Sequence, residues 1–169
     1  MKNYSTRKLT MLSLMLAVAI TLNYFERFIP ISATIPGVRL GLANVVSLLC
    51  LQYYGYKDAF LLVILRTVLS AFFYGSLSAL MFSLGGGLFA LTAMSVLWAM
   101  RGNRLSLIGV SVGGAIFHNV GQVTVAYFIL ATPAIWSYLP FLLVSAVVSG
   151  VLTGVVAQRV SGYLKAHIE

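Results

Sequence analysis

Long apolar runs separated by short polar connections fill most of this chain. The runs cover residues 9–25, 40–54, 59–73, 77–100, 105–130 and 135–160. They exceed the roughly ten residues of a transmembrane strand and suit helices that cross a bilayer. Only 8% of the residues are charged, against about a quarter in a soluble domain. We therefore predict an all-α integral membrane protein, a bundle of six transmembrane helices forming a single domain over residues 1–169.

The basic residues predict how this bundle is oriented. Cytoplasmic connections of membrane proteins carry an excess of Lys and Arg. With the N-terminus inside, two basic residues, Arg27 and Arg39, lie outside. Eight lie inside, and both termini are then cytoplasmic: Lys2, Arg7, Lys8, Lys57, Arg101, Arg104, Arg159 and Lys165.

One polar, proline-containing segment interrupts the apolar pattern between the first two runs. It covers residues 26–39 and contains Glu26, Pro30, Pro36 and Arg39. Pro and Gly prevent a continuous helix here, and irregular backbone beside membrane spans is tolerated at the interface or over a cavity. We interpret the segment as an outer cap loop over a site within the bundle.

Arg66 lies near the middle of the third apolar run. A cation at that depth is costly and is expected to face the bundle interior beside a partner. One alternative is a structural pair with Glu26 or with backbone carbonyls. The other is a fixed cation for an anionic ligand, since the planar guanidinium binds two oxygens of a carboxylate or phosphate.

The fifth run carries a second polar group, His118, Asn119 and Gln122. His118 and Gln122 are four residues apart and share a helix face, which Asn119 flanks. These side chains either form hydrogen bonds between helices or line a ligand site. Asn44, near the outer end of the second run, and Asn23, one turn before Glu26, extend the same polar lining. The predicted substrate-binding set is Glu26, Arg39, Asn44, Arg66, His118, Asn119 and Gln122.

Two small-residue patterns indicate close helix packing. Ser13 and Ala17 form a small-x-x-x-small pair that serves either internal packing or contact with a partner subunit. In the fourth run, Gly85–Gly87 permits close packing or local unwinding. In the sixth, Ala146, Gly150 and Gly154 repeat every four residues as a packing stripe.

Several functional classes lack their sequence signatures. The three carboxylates, Glu26, Asp58 and Glu169, offer no aspartate pair for Mg²⁺, and no motif for nucleotide or zinc binding is present. The net charge of +8 falls at the ends of the runs rather than along a nucleic-acid-binding stripe. We expect no catalytic site, no metal, no cofactor and no nucleic-acid partner.

The chain resembles the Gx transporter family, also known as heptaprenyl diphosphate synthase component I, over nearly its whole length. The segments that carry the resemblance are NYFERFIP (23–30), PGVRLGLAN (36–44), LRTVLSAFFYGS (65–76), the Gly85–Gly87 run and FHNVGQ (117–122). The family is similar to the substrate-binding S components of energy-coupling-factor transporters. Those are six-helix bundles with an outward gate loop, and their first helix meets a transmembrane coupling subunit that works with ATPase subunits. Ser13 and Ala17 match that contact, although a serine stands at the first position.

The resemblance implies two functions from different classes. The first is a substrate-binding subunit of such an importer in the bacterial cytoplasmic membrane, for a small anionic or amphipathic molecule. The second is a non-catalytic membrane accessory of prenyl diphosphate or quinone metabolism, or of an extracellular electron-transfer system. Prenyl diphosphate synthases use Asp-rich Mg²⁺ motifs, and this chain has one aspartate.

Overall fold

The computed structural model describes residues 5–26, 28, 41–100 and 105–168, and for 166–168 the backbone alone. These residues form six α-helices and one short 3₁₀ helix and contain no strand. The helices are α1 Thr6–Glu26, α2 Leu42–Tyr54, α3 Tyr56–Tyr74, α4 Leu77–Ala99, α5 Leu107–Leu130 and α6 Leu139–Ile168, with the 3₁₀ helix Pro133–Tyr138 before α6. Parts of the sequence interpretation lie outside the described residues: most of the cap loop with Arg27, Pro30, Pro36 and Arg39, and the charges Lys2, Arg101, Arg104 and Glu169.

The helix ends follow local sequence signals, with two departures from the prediction. Only Gly55 separates α2 from α3, so Tyr56, Lys57 and Asp58 begin a helix rather than forming a turn. Gly55 adopts a positive φ of 86°, which its missing side chain permits. The sixth apolar run opens as the 3₁₀ helix, and α6 continues past 160 to Ile168.

Helix α2 is the centre of the bundle. It packs against each of the other five α-helices. All seven residues from Val45 to Leu51 are buried, and Leu48 and Cys50 are almost inaccessible. At 13 residues α2 is about 20 Å long, which is shorter than the roughly 30 Å hydrocarbon core. If its C-terminal end is near the cytoplasmic side, as predicted, α2 is too short to reach the outer surface. Its N-terminal end then lies inside the bundle.

Glycines bring α4, α5 and α6 together. Helix α4 runs unbroken through Gly85–Gly87, so these glycines serve close packing rather than local unwinding. A Cβ on Gly121 would lie 2.8 Å from the Gly85 carbonyl oxygen. On α6, a Cβ on Gly154 would lie 2.7 Å from the Ile108 Cα. The predicted packing stripe on α6 is thus buried against α5, and side chains larger than hydrogen would force these helices apart.

The outer surface is that of a membrane protein. Within the described ranges, four helical segments are long and apolar enough to cross a bilayer: Thr6–Glu26, Leu77–Ala99, Leu107–Leu130 and Pro133–Lys165. Large apolar side chains such as Phe72, Phe128 and Val144 are mostly exposed, which suits contact with lipid. Aromatic clusters stand at one end of the bundle, including Tyr24 with Tyr74 and Tyr127 with Trp136, as at a membrane interface. The chain is a multi-pass membrane protein; six crossings with cytoplasmic termini stay a prediction, and that topology defines "outer" below.

Candidate functional site

A hydrogen bond between α3 and α2 holds the cation at the centre of the bundle. Arg66 donates from a guanidinium nitrogen to Asn44 Oδ1 at 2.9 Å. Arg66 is 5% exposed, and its guanidinium lies beside α4, where a Cβ on Gly87 would be 3.7 Å from it. The cation therefore faces the interior, as the cost of burying it in lipid requires.

Glu26 is the last residue of α1 and holds the start of α2. Its buried carboxylate accepts a hydrogen bond from the backbone N–H of Gly41, the residue that precedes α2. Gly41 has a φ of 71° and supplies no side-chain cap. A carboxylate is favourable at the N-terminus of a helix, where backbone N–H groups lack partners within the helix. Glu26 is the last helical residue rather than the first residue of the loop, and its side chain is buried in the bundle; the cap loop itself stays a prediction.

Four of the predicted site residues meet in one space, which we call the central cavity. Glu26, Asn44, Arg66 and His118 line it, together with Gly41 and small or polar residues of α1, α3 and α4. The space measures about 350 Å³ including its open part. It brings a carboxylate, a guanidinium and an imidazole together inside an apolar bundle, where charge interactions are stronger than in water.

Asn119 faces a different space, the inner cavity between α2, α5 and α6. This cavity of about 370 Å³ shares Gly41, Asn44 and His118 with the central cavity. Asn119 lines it but donates from Nδ2 to the Leu142 carbonyl oxygen of α6 at 2.7 Å. Of the two roles that the sequence allowed, Asn119 therefore has the one of forming a hydrogen bond between helices.

Gln122 lies beside α4 and is not among the residues that line the central or the inner cavity. A Cβ on Gly86 would be 2.7 Å from Gln122 Cγ and 3.0 Å from His118 Cε1. His118 and Gln122 thus share the face that their spacing predicts, and that face packs on the glycines of α4. Of the predicted set, Arg39 lies outside the described residues.

Hydroxyl groups that the sequence interpretation did not select complete the inner cavity. Ser111 on α5 and Thr153 on α6 lie 2.9 Å apart through their oxygens. Thr153 also donates to the Ser149 carbonyl oxygen at 2.8 Å, so Ser111 is the donor of the pair when that bond forms. Both residues are buried. Serine and threonine are common packing residues in membrane helices, so their sequence positions carried no signal of a cavity.

Helix α1 presents small residues to the outside of the bundle. Ser13 and Ala17 are both exposed, and Thr6, Thr10 and Thr21 extend the same strip. The Thr10 and Thr21 hydroxyls donate to carbonyl oxygens one turn earlier, at 3.0 and 2.9 Å. The side chains of this strip, Thr6–Thr10–Ser13–Ala17–Thr21, are therefore small. The Thr10 and Thr21 hydroxyls need no hydrogen-bond acceptor from a molecule that covers the strip.

Comparison with known protein families identifies the chain. The model of the family described as heptaprenyl diphosphate synthase component I matches residues 15–160. The chain belongs to this family. No curated protein and no solved structure gives a significant match.

The family description names a component of a diphosphate synthase, which makes the acidic residues of this family member relevant. Its single aspartate, Asp58, is buried in the first turn of α3 and forms an ion pair with Lys8 of α1 at 2.6 Å. The Lys8 ammonium is also 5.8 Å from the centre of the Tyr54 ring. No group of three or more His, Cys, Asp or Glu residues lies together among the described residues. Asp58 is thus part of a junction at the end of the bundle where α2 meets α3, well away from the central cavity.

Proposed function

We propose that this protein is the membrane-embedded substrate-binding subunit of an energy-coupling-factor type importer in the bacterial cytoplasmic membrane. Its substrate is a small anionic or amphipathic molecule from outside the cell. The observation that carries the proposal is Arg66, buried inside the bundle and bonded to Asn44 beside a polar cavity. A cation inside a membrane bundle is costly, and its place beside a polar cavity supports a role in binding.

The chemistry of the cavity supports an anionic group on the ligand. The Glu26 carboxylate lines the same cavity and accepts a hydrogen bond from the Gly41 N–H at the positive end of α2. The guanidinium of Arg66 is planar and suits a carboxylate or phosphate through two parallel hydrogen bonds. His118 reaches the same cavity and adds a further polar contact. The surrounding apolar helices accept the rest of an amphipathic molecule.

The exposed strip on α1 supports a partner subunit. Small side chains let another transmembrane helix approach closely, and lipid gives such a face little to pack against. The sequence carries no nucleotide-binding motif, so in this proposal the ATPase subunits that drive transport are separate chains. In this proposal a transmembrane coupling subunit covers the strip and connects the protein to those ATPases.

The family description favours a second candidate, a membrane accessory of prenyl diphosphate or quinone metabolism. In that function the protein binds without catalysing, and its partner is a soluble prenyl diphosphate synthase or an electron-transfer component. The central cavity then holds an isoprenoid-related anion rather than an imported nutrient.

Purification of the tagged protein from its own host under mild detergent separates the two functions. Recovery of a coupling membrane subunit with ATPases supports import, and recovery of a prenyl synthase instead supports the accessory function. Native mass spectrometry of the same preparation identifies any small molecule that stays bound. If neither a partner nor a small molecule is found with the wild-type protein, both functions fail.

A further inference from the structure

A third cavity lies at the outer end of the bundle, between α1, α3 and α4. We call it the vestibule. Its polar lining is Asn23 from the end of α1, Thr67, Ser70 and Tyr74 from α3, and Ser83 from α4. It measures about 300 Å³ including its open part. Exposed Gly75, in the connection from α3 to α4, forms part of its wall and places it at the outer surface.

The vestibule adjoins the central cavity. Asn23, Thr67 and Ser83 line both spaces, and Thr67 follows Arg66 directly in α3. The backbones of the described residues of α1 and α4 do not approach each other closely, and both helices pack against α3, which forms the floor of the gap between them. Polar side chains therefore line the space from the α3–α4 connection to Arg66.

The polarity of this gap differs from that of the neighbouring surface. Met81 on α4 and Phe72 on α3 are exposed and apolar, as expected for positions that face lipid. Polar groups that face lipid without hydrogen bonds are costly. Within the described part of the chain, the Asn23 side chain makes no hydrogen bond, and only part of its surface is buried. Water or a polar solute in the vestibule would satisfy that amide.

Tyr74 connects α3 to α1 at the edge of this gap. Its hydroxyl is 3.1 Å from the Ile20 carbonyl oxygen of α1, to which it donates, and 2.8 Å from Ser70 Oγ. Its ring also packs edge-on against Tyr24 of α1, with 5.5 Å between ring centres. A rotation of this side chain would break its hydrogen bond to α1 and move its ring out of the vestibule wall.

We propose that the vestibule is the entry route by which a water-soluble polar solute reaches the central cavity, and that Tyr74 closes it. The route lies between α1 and α4 and consists entirely of described residues. Its use by a transported substrate rests on the proposed function, whereas its existence as a water-accessible path does not.

Thiol labelling tests the path without knowledge of the ligand. Cys50, the single cysteine, is fully buried, and Cys50→Ser gives a cysteine-free background. Ser83→Cys places a thiol in the vestibule, and Met81→Cys places one on the lipid-facing side of α4, two residues nearer the outer end. Each protein, in lipid nanodiscs, is treated with a membrane-impermeant sulfonate methanethiosulfonate. We expect Met81→Cys to react at least about tenfold more slowly than Ser83→Cys, because a reactive thiolate forms in water and not in lipid.

The second comparison tests Tyr74. Tyr74→Phe keeps the ring but removes the hydroxyl, and we expect labelling of Ser83→Cys to accelerate roughly three- to tenfold, as loss of one modest hydrogen bond predicts. Tyr24→Phe is the matched control, since no hydrogen bond of its hydroxyl is found among the described residues, and the rate should stay at its original value. Thermal unfolding of each variant establishes that it is folded.

Equal, slow labelling of Ser83→Cys and Met81→Cys overturns the path, and an unchanged rate in Tyr74→Phe overturns the role of Tyr74. Neither result bears on whether a coupling subunit or small molecule copurifies with the protein. Failure of the entry route and failure of the proposed function are therefore separate outcomes.

Discussion

Arg66 and Asn44 are each eleven residues from Gly55, and their side chains meet at 2.9 Å. Gly55 joins two antiparallel helices with a single residue, so positions at equal distance from it lie at equal depth. About 15 Å of helix separates each from that connection, which in the predicted six-span topology places the pair near mid-membrane. The short length of α2 thus brings a helix N-terminus, an amide and a guanidinium to one point inside the bundle.

Arg66→Lys should weaken ligand binding although the charge is kept. Lysine lacks the planar fork, so the bond to Asn44 and the contact with the ligand compete for one ammonium. We expect affinity to fall roughly ten- to a hundredfold, since hydrogen bonds to charged groups contribute about 1.5–3 kcal/mol. The measurement is calorimetric titration with the molecule that copurifies with the wild-type protein. Arg159→Lys, at an exposed position on α6, is the matched control and should bind normally.

His118→Ala should also weaken binding, because the imidazole lines both the central and the inner cavity. Wild-type affinity in folded Arg66→Lys and His118→Ala proteins would show that the central cavity is not the ligand site.

Glu26→Ala should lower stability by about 0.5–2 kcal/mol, because the Gly41 N–H and the positive end of α2 lose their carboxylate. Glu26→Gln keeps an acceptor oxygen, so it should lose less. Unfolding in detergent, followed by circular dichroism at rising temperature, provides the comparison. Equal stability of wild type and Glu26→Ala would contradict a capping role for this carboxylate.

Lys8→Met should destabilise the protein more than the double variant Lys8→Met with Asp58→Asn. Removing the lysine leaves the carboxylate of Asp58, which is 5% exposed, without its counter-ion. Because Lys8 itself is 30% exposed, we expect a loss of roughly 1–3 kcal/mol, below the range for fully buried pairs. Lys57→Met changes an exposed neighbour of Asp58 and serves as the control. The free energy of unfolding of each variant is measured with denaturant. If the change in the double variant equals the sum of the changes in Lys8→Met and Asp58→Asn, the ion pair does not contribute to stability.

Gly121→Ala should destabilise the contact between α4 and α5. The new Cβ would lie 2.8 Å from both the Gly85 carbonyl oxygen and the Phe89 Cβ, so the helices must move apart. Overpacking of this kind costs about 1–3 kcal/mol. Gly162→Ala on α6 meets no atom within 4 Å and should be neutral or stabilising by up to about 1 kcal/mol. If unfolding shows that both variants respond alike, close packing is not the reason for glycine at 121.

Ala17→Leu should disrupt assembly with a coupling subunit and leave ligand binding intact. The added side chain rises from the small strip on α1, on the side away from the central cavity, and holds a partner helix at a distance. Pull-down of the partner, with ligand affinity measured in parallel, tests both expectations. Val18→Leu adds bulk at an exposed residue outside the strip, and assembly should tolerate it. Normal assembly of Ala17→Leu would remove the strip as the contact face.

Some tertiary contacts could be predicted from sequence because depth and helical spacing are local properties. The buried position of Arg66 follows from the cost of a charge in lipid. The shared face of His118 and Gln122 follows from four-residue spacing, and the packing role of Gly150 and Gly154 from their repeat. The start of the sixth helix was harder to predict from the sequence, because the 3₁₀ helix Pro133–Tyr138 is as apolar as a transmembrane α-helix.

The sequence by itself determined the class of protein, because 60% hydrophobic residues in long runs leave no soluble fold available. It also determined which residues are too polar to face lipid. Only the tertiary structure decided what each of them meets: Asn44 for Arg66, the Leu142 carbonyl for Asn119, Gly86 for Gln122 and the start of α2 for Glu26. Helical periodicity fixes the direction of a side chain from its own axis, whereas its partner depends on how far neighbouring helices approach and how they are shifted along one another. In this bundle the glycine contacts set how closely the helices approach, and the short α2 sets how they are shifted along one another.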